Sequence, residues 1–127
     1  MQEKHLYEYA VVRVVPRVER EEFINVGVIL YCPSLRFLKV LSEVDSQRLY
    51  ALTRTLSPEE VREYLRAFDH ICQGGKLGGA IGQLPLASRF RWLTAVRSSV
   101  MQTSRVHPGF CADPEAALRR LFEQLVC

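Results

Sequence analysis

Two apolar segments near the start of the chain carry polar side chains that could bind an anion. Arg13 lies in a run that ends at Pro16, and Asn25 lies in a second run, two residues before Gly27. If the runs form a hairpin with a symmetric loop over 17–21, Arg13 faces Asn25 and Gly27 leaves space beside them. A guanidinium and an amide at such a gap could bind phosphate or carboxylate. The alternative is an ordinary sheet arginine, with Asn25 bonded to a backbone group of a bulge.

A later segment alternates like another strand and has Thr103, Arg105 and His107 at its odd positions. If these side chains share a face with Arg13 and Asn25, all five converge on one ligand pocket. This prediction depends on the register, because a slip of one residue moves every side chain to the opposite face of the sheet.

The uneven distribution of basic residues indicates a second candidate surface. The chain has 17 Lys and Arg against 14 Asp and Glu, a net charge of +3, but no carboxylate from His70 to Ala112. Arginine pairs with phosphate through two parallel N–H groups, and interleaved aromatic rings can stack on bases. The residues that would bind nucleic acid are Lys76, Arg89, Arg91 and Arg97. In the alternative, Phe90 and Trp92 are core anchors of a short helix and the arginines are solvated charges.

Metal-binding and catalytic motifs are incomplete. His70 with Cys72, and His107 with Cys111, lack the Cys-x-x-Cys spacing of a zinc ribbon, so we expect no metal site and buried free thiols. The glycine-rich segment 74–79 has leucine where a phosphate loop needs Ser or Thr, which favours a connector. Neither a nucleophile elbow nor a cluster of catalytic carboxylates occurs. We therefore predict no catalytic residue and no cofactor, and an enzyme is not favoured.

The composition is typical of one globular domain, which we assign to residues 1–127. Of these residues 48% are hydrophobic and 24% are charged, enough to bury one core without disulfides. No apolar run reaches the roughly 20 residues of a membrane-spanning helix. The polar first residues lead directly into a strand pattern, so we expect no signal peptide and a cytoplasmic protein with reduced cysteines.

Four segments have the β-branched, aromatic or alternating pattern of strands: 6–16, 23–32, 36–41 and 100–107. The links between the first three are short, which predicts an antiparallel meander.

Helix start signals stand between and after these segments. Asp45 can cap a first helix, and Ser57 followed by Pro58 and Glu60 forms a capping box. Asp113 opens the last helix. We therefore predict an α+β fold with a mainly antiparallel sheet of about four strands and with helices packed on one face.

Several segments resemble a bacterial family called domain of unknown function 3037. The resemblance is carried by YEYAVVRVVPR at 7–17, EFINVGV at 22–28, FRWLT at 90–94 and DPE at 113–115, and by RSS at 97–99 with Thr103-Ser104. It covers nearly the whole chain, and NVGV at 25–28 is its most specific part. Glu21 departs from it, because the resemblance implies glycine at that position.

The resemblance implies no catalytic residues, because the family has no established activity. It implies a neighbour similar to the kinase-fold toxins of bacterial persistence modules, and therefore a partner or regulator of a kinase-fold protein. Two functions stay open: a non-catalytic protein-interaction module, and a nucleic-acid or phosphate-ligand binder that uses the basic half 70–112. An exposed edge strand would also allow a homodimer, and no membrane partner is expected.

Overall fold

The structure is a computed structural model that describes residues 3–95 and 99–127, with the backbone alone for Val18. The strands in the described part of the chain are β1 (His5–Val14), β2 (Ile24–Cys32), β3 (Phe37–Ser42), β4 (Met101–Thr103) and β5 (His107–Cys111). The α-helices there are α1 (Ser46–Leu52), α2 (Pro58–Gln73), α3 (Gly79–Gly82), α4 (Leu86–Leu93) and α5 (Pro114–Leu125). None of these helices is long and apolar enough to cross a membrane.

The strands form one antiparallel sheet in the order β3-β2-β1, and both β4 and β5 pair with the free side of β1. The α+β fold and the meander of β1, β2 and β3 are confirmed. The strand expected over 100–107 is instead two short strands, and β5 continues through Pro108 and Gly109, where we expected a strand to end. An edge strand can hold Pro108, because a proline that lacks an N–H costs little where no outer strand needs the donor.

The interruption between β4 and β5 is centred on Ser104. The Ser104 N–H donates to the Val11 carbonyl at 2.8 Å, and the Ser104 hydroxyl accepts from the Val11 N–H at 2.9 Å. A side-chain oxygen thus replaces the backbone acceptor at this point of the ladder, so Val11 keeps both of its backbone hydrogen bonds.

Helices pack on both faces of the sheet, so the prediction of helices on one face is not confirmed. Ile29 of β2 belongs to a core cluster with side chains of α1, α2 and α4, whereas Leu30 belongs to a second cluster with side chains of α5. Successive residues of a strand point to opposite faces. From Val26 to Cys32 every residue of β2 is buried, and a strand that is apolar on both sides needs a helical layer on each.

Helix α5 is also tied to the sheet by an ion pair. The Lys39 ammonium on β3 donates to Glu115 Oε1 in the first turn of α5, with 2.8 Å between the two atoms. This hydrogen bond lowers the pKa of the Glu115 carboxyl below its ordinary value. The ion pair orients the start of α5 over β3.

The predicted helix caps are confirmed. The Asp45 carboxylate accepts from two backbone N–H groups at the start of α1, and Asp113 does the same at the start of α5. At α2 the Ser57 hydroxyl accepts from the Glu60 N–H at 3.1 Å, and the Glu60 carboxylate accepts from the Ser57 N–H at 3.3 Å. These side chains satisfy backbone donors that have no partner within the helix.

The register of β1 with β2 agrees with the prediction only near the turn. Arg13 pairs with Asn25, as expected, but Val12 then pairs with Gly27 rather than with Val26. A β-bulge places one extra residue in β2 at this point. Beyond it, the predicted β1–β2 pairs are wrong by one residue.

The bulge also changes the interpretation of Gly27. A Cβ atom at this position would lie 2.9 Å from the Leu41 carbonyl oxygen and 3.3 Å from the Ser42 Cβ. The absent side chain therefore leaves space for the backbone of β3. The expected gap for a ligand beside Arg13 does not exist.

Glu21 adopts the left-handed conformation, with φ of 56°, at the position where the resemblance implies glycine. We expect Glu21→Gly to raise the free energy of unfolding by roughly 0.5–1 kcal/mol. This conformation costs about 1–2 kcal/mol in a residue with a Cβ atom, and the greater unfolded-state entropy of glycine offsets part of the gain. Urea denaturation would measure the change. Glu19→Gly is the matched control, since Glu19 has no positive φ and should lose stability; equal changes in both variants would contradict this prediction.

Candidate functional site

Arg13 lies near the turn end of β1 and is partly buried. Its guanidinium carbon is 4.2 Å from the centroid of the Phe23 ring, which is 46% exposed. Within residues 3–95 and 99–127, the structure shows no ion pair and no hydrogen bond for the Arg13 side chain, and its Nε is buried without a partner. The cation therefore rests on an aromatic face but has no counter-ion among these residues.

Asn25 is the residue opposite Arg13 on β2. Its Nδ2 donates to the Leu125 carbonyl at the end of α5, at 3.0 Å, whereas its Oδ1 is buried without a partner among the described residues. The expected alternative, a bond to the bulge backbone, is replaced by this bond to α5. An unsatisfied buried polar atom costs about 1–3 kcal/mol, and here a donor and an acceptor are left unsatisfied on directly paired residues. This pair is the centre of the candidate site.

Thr103 does not join Arg13. It pairs with Val12, and directly paired residues share a face of the sheet. Val12 belongs to the core beneath α2 and α4, so Thr103 lies on the side opposite Arg13. Gln102, which the sequence argument placed on the other face, is the residue of β4 opposite Arg13.

His107 and Arg105 are also not brought to the centre of the site. His107 pairs with Tyr9, and their ring centroids are 5.3 Å apart. Tyr9 precedes Arg13 by four residues, which is about 13 Å along a strand. Arg105 is exposed in the link between β4 and β5. Because residues 104–106 stand opposite only residues 10–11, the alternation of side chains is broken and the predicted convergence is wrong.

Phe23 was absent from our predicted site, although the sequence carried a signal for it. It stands two residues before Asn25, and the period of two along a strand places both on one face. Gln102 carried no such signal, because the interruption at Ser104 decides its face.

A cavity of about 150 Å³ lies beside Asn25, between the start of α1 and the end of α5. Several of its polar groups already hold the chain in place. The Arg48 guanidinium donates to the Val126 carbonyl at 3.0 Å, and the Cys127 thiol is 3.8 Å from the Glu43 carboxylate. These contacts fix the end of α5, which in turn fixes Asn25.

Two arginines of the basic half, Arg89 and Arg91, are engaged within the protein. Arg89 donates to the backbone carbonyls of Ile71, Cys72 and Leu84 at 2.8–2.9 Å, so it caps the end of α2. Lys76 is exposed, and Arg97 lies outside the residues that the structure describes. Arg89 is therefore a structural residue and has no free fork for a phosphate.

Arg91 is engaged in a similar way. Its two terminal nitrogens donate to the two carboxylate oxygens of Glu8 on β1, at 2.8 and 2.9 Å. This hydrogen bonding raises the pKa of Arg91 above its ordinary value. Phe90 is fully buried against Tyr31, so it cannot stack on a base, whereas Trp92 is 40% exposed. The core-anchor interpretation is thus correct for Phe90.

The described residues contain no group of three His, Cys, Asp or Glu side chains that could hold a metal ion. Burial raises the pKa of the Cys72 thiol to about 12. The thiol therefore stays protonated at neutral pH, and the thiolate is the form that attacks electrophiles or binds metals. Cys72 functions in the core as a small hydrophobic residue.

We expect Arg89→Ala to lower the free energy of unfolding by about 2 kcal/mol, because hydrogen bonds to a charged group contribute about 1.5–3 kcal/mol. Urea denaturation would measure the loss. Lys76→Ala is the control and should change stability by less than about 0.5 kcal/mol, as exposed substitutions usually do. Equal stabilities of the two variants would show that Arg89 does not cap α2.

Comparison with known proteins yields one match. The model of the family described as "Protein of unknown function (DUF3037)" matches residues 9–126, from β1 to the residue after α5. No curated protein and no solved structure matches the chain. The matched region includes Arg13, Phe23 and Asn25.

Proposed function

The chain belongs to the DUF3037 family of proteins of unknown function, and on that premise we propose that it is a non-catalytic interaction module that binds an acidic group of a protein partner through Arg13. One observation carries the proposal. The Arg13 guanidinium lies on the exposed Phe23 ring without a counter-ion among the described residues. A carboxylate from a partner would supply that counter-ion.

The energetics of an unpaired cation support this proposal. A partly buried charge without a partner is unfavourable, because it has lost water and gained no ion pair. Binding of a carboxylate would offset that cost. Arginine and aromatic residues are also enriched among the few residues that dominate interface energies.

The part of Arg13 that a partner contacts follows from its burial. Nε is the only nitrogen of this side chain that is both buried and unpartnered, so water reaches the terminal Nη groups. Two Nη groups in one plane suit a carboxylate with two oxygens. The Phe23 ring adds apolar area beside them, which suits a protein surface better than a free ion.

Catalysis is not favoured at this site. Within the described residues, neither an imidazole nor a thiol bonds to Arg13 or Asn25, and His107 stacks on Tyr9 instead. The thiol and carboxylate of Cys127 and Glu43, in the cavity beside Asn25, bond to each other. Among the described residues, the Arg13–Asn25 pair is therefore hydrogen-bonded to no group that could move a proton.

The first partner to test is a cytoplasmic kinase-fold protein encoded beside this one, because the resemblance implies such a neighbour. A second copy of the chain and nucleic acid are the competing ligands. Nucleic acid is less favoured, because Arg89 and Arg91 bind groups within the protein.

Co-expression with that neighbour tests the proposal. We expect a tagged protein to retain the neighbour at roughly 50 mM salt and, in reduced amount, at roughly 500 mM, because salt screens an exposed ion pair but not the apolar contact. Nucleic acid that is bound at low salt and fully lost at high salt would instead indicate a phosphate-backbone binder. Retention of neither would contradict the proposed partner, and analytical ultracentrifugation of the same sample would detect a homodimer.

A further inference from the structure

A second cavity, of about 250 Å³, lies between the turn that joins β1 to β2 and the segment that joins α1 to α2. It does not contain Arg13, Phe23 or Asn25. The residues of its lining that carry charge or a hydroxyl are Arg17, Arg20, Glu22, Thr53, Arg54 and Thr55. The cavity thus combines three guanidinium groups, one carboxylate and two hydroxyls.

The charges in this cavity are not balanced. Glu22 pairs with Arg20, with 2.7 Å between the carboxylate oxygen and Nε. Arg17 makes no ion pair with any described residue, and Arg54 lies over the Tyr50 ring at 5.2 Å. Two positive charges around one small space are therefore left without a counter-ion among the described residues. Such a concavity attracts anions, because the fields of the two cations add.

The two hydroxyls are held in place by their own contacts. The Thr55 N–H donates to the Thr53 hydroxyl at 3.2 Å, and the two hydroxyl oxygens are 3.0 Å apart. This bonding fixes the segment that brings Arg54 to the cavity wall. One of the two hydroxyls donates to the other, so one O–H stays free to donate to an anion.

We infer that this cavity binds a phosphoryl dianion between Arg17 and Arg54, with the free O–H of Thr53 or Thr55 as a further donor. Two unpaired guanidinium groups match two negative charges, and planar N–H pairs match the oxygens of phosphate. The inference is independent of the proposed function, because the two sites share no residue. The cavity lies at the turn 17–22 and includes no residue of the basic half 70–112.

The test is a titration of the ¹⁵N-labelled protein with inorganic phosphate, followed by the amide signals of Thr53 and Thr55, with sodium chloride added to keep ionic strength constant. We expect saturable shifts in the wild type and at least a tenfold weaker affinity in the double variant Arg17→Gln, Arg54→Gln. The matched control is Arg66→Gln, Arg119→Gln, which removes two exposed arginines that do not line this cavity and should leave the affinity unchanged.

Two results would overturn the inference. One is the absence of saturable shifts in the wild type up to about 50 mM phosphate, and the other is equal affinity in the two double variants. The spectra outside the cavity report whether each variant is folded, so a loss of fold cannot be mistaken for a loss of binding. Glycerol 3-phosphate and a phosphoserine peptide then distinguish the source of the phosphoryl group. Binding tighter than that of inorganic phosphate supports the site in either case. It identifies the ligand as a small molecule if glycerol 3-phosphate binds tighter, and as a protein segment if the peptide does.

Discussion

Phe90→Ala is expected to lower the free energy of unfolding by about 3–5 kcal/mol, as truncation of a fully buried Phe usually does. The ring is inaccessible to solvent and lies 5.2 Å from the Tyr31 ring, between α4 and the sheet. Its removal leaves a cavity between α4 and the sheet, and the strands of the sheet cannot move far enough to close it. Urea denaturation monitored by circular dichroism would measure the loss.

The same substitution distinguishes the two interpretations of the segment 89–92. Trp92 is 40% exposed, so Trp92→Ala should cost less than Phe90→Ala. Neither variant should change the affinity for single-stranded nucleic acid if the aromatic residues are core anchors. A large loss of nucleic-acid affinity in Trp92→Ala at unchanged stability would show instead that bases stack on this segment.

Arg13→Met is expected to have opposite effects on stability and binding. We expect the free energy of unfolding to stay equal or to rise by about 1 kcal/mol, because the substitution removes an unsatisfied buried donor and keeps an unbranched apolar stem. Partner affinity should fall about 30-fold, which corresponds to roughly 2 kcal/mol for a residue that dominates an interface. Stability that increases while function is lost is typical of a residue kept for binding.

Arg66→Met is the matched control for this prediction. Arg66 is an exposed arginine of α2, and no described residue pairs with it. The substitution Arg66→Met should change neither the free energy of unfolding nor the partner affinity by a measurable amount. If Arg13→Met lost more than about 1 kcal/mol of stability, Arg13 would be an ordinary sheet arginine, which is the alternative that the sequence left open.

The elements of the fold could be predicted from the sequence because their signals are local. The caps at Asp45, Ser57 and Asp113 each depend on a hydrogen bond across two or three residues. The strands of the meander were predicted to within two residues because β-branched runs end at turn residues. The pairing of Arg13 with Asn25 followed from the symmetric turn, and it is the part of the site that the sequence located.

The rest of the site depends on irregularities that a period-two pattern does not reveal. The bulge after Asn25 shifts the register, and the Ser104 hydroxyl replaces a ladder acceptor. The interruption at Ser104 puts Thr103 and His107 on opposite faces of the sheet. Thr103 therefore lies on the face opposite Arg13, whereas His107 shares the face of Arg13 but pairs with Tyr9, about 13 Å away along β1. Gly27 marks the neighbourhood of the bulge, because glycine within a strand is common there, but it does not fix which residue is extra. No residue type marks the interruption at Ser104.

The structural role of Arg89 was hidden for a different reason. Its acceptors at Ile71 and Cys72 are 18 and 17 residues away in the chain. A cation near the end of a helix is favourable, but only the fold shows that an arginine from another helix supplies it. A carboxylate-free stretch therefore indicates a candidate binding surface in the sequence, although two of its arginines stabilise the fold.

The decisive measurement is isothermal titration calorimetry, at one salt concentration, of the proposed kinase-fold neighbour with wild type and with Arg13→Met. We expect a dissociation constant about 30-fold higher for Arg13→Met and an unchanged value for Arg66→Met. Equal dissociation constants for wild type and Arg13→Met would contradict it, since the unpaired guanidinium on Phe23 would then contribute nothing to binding.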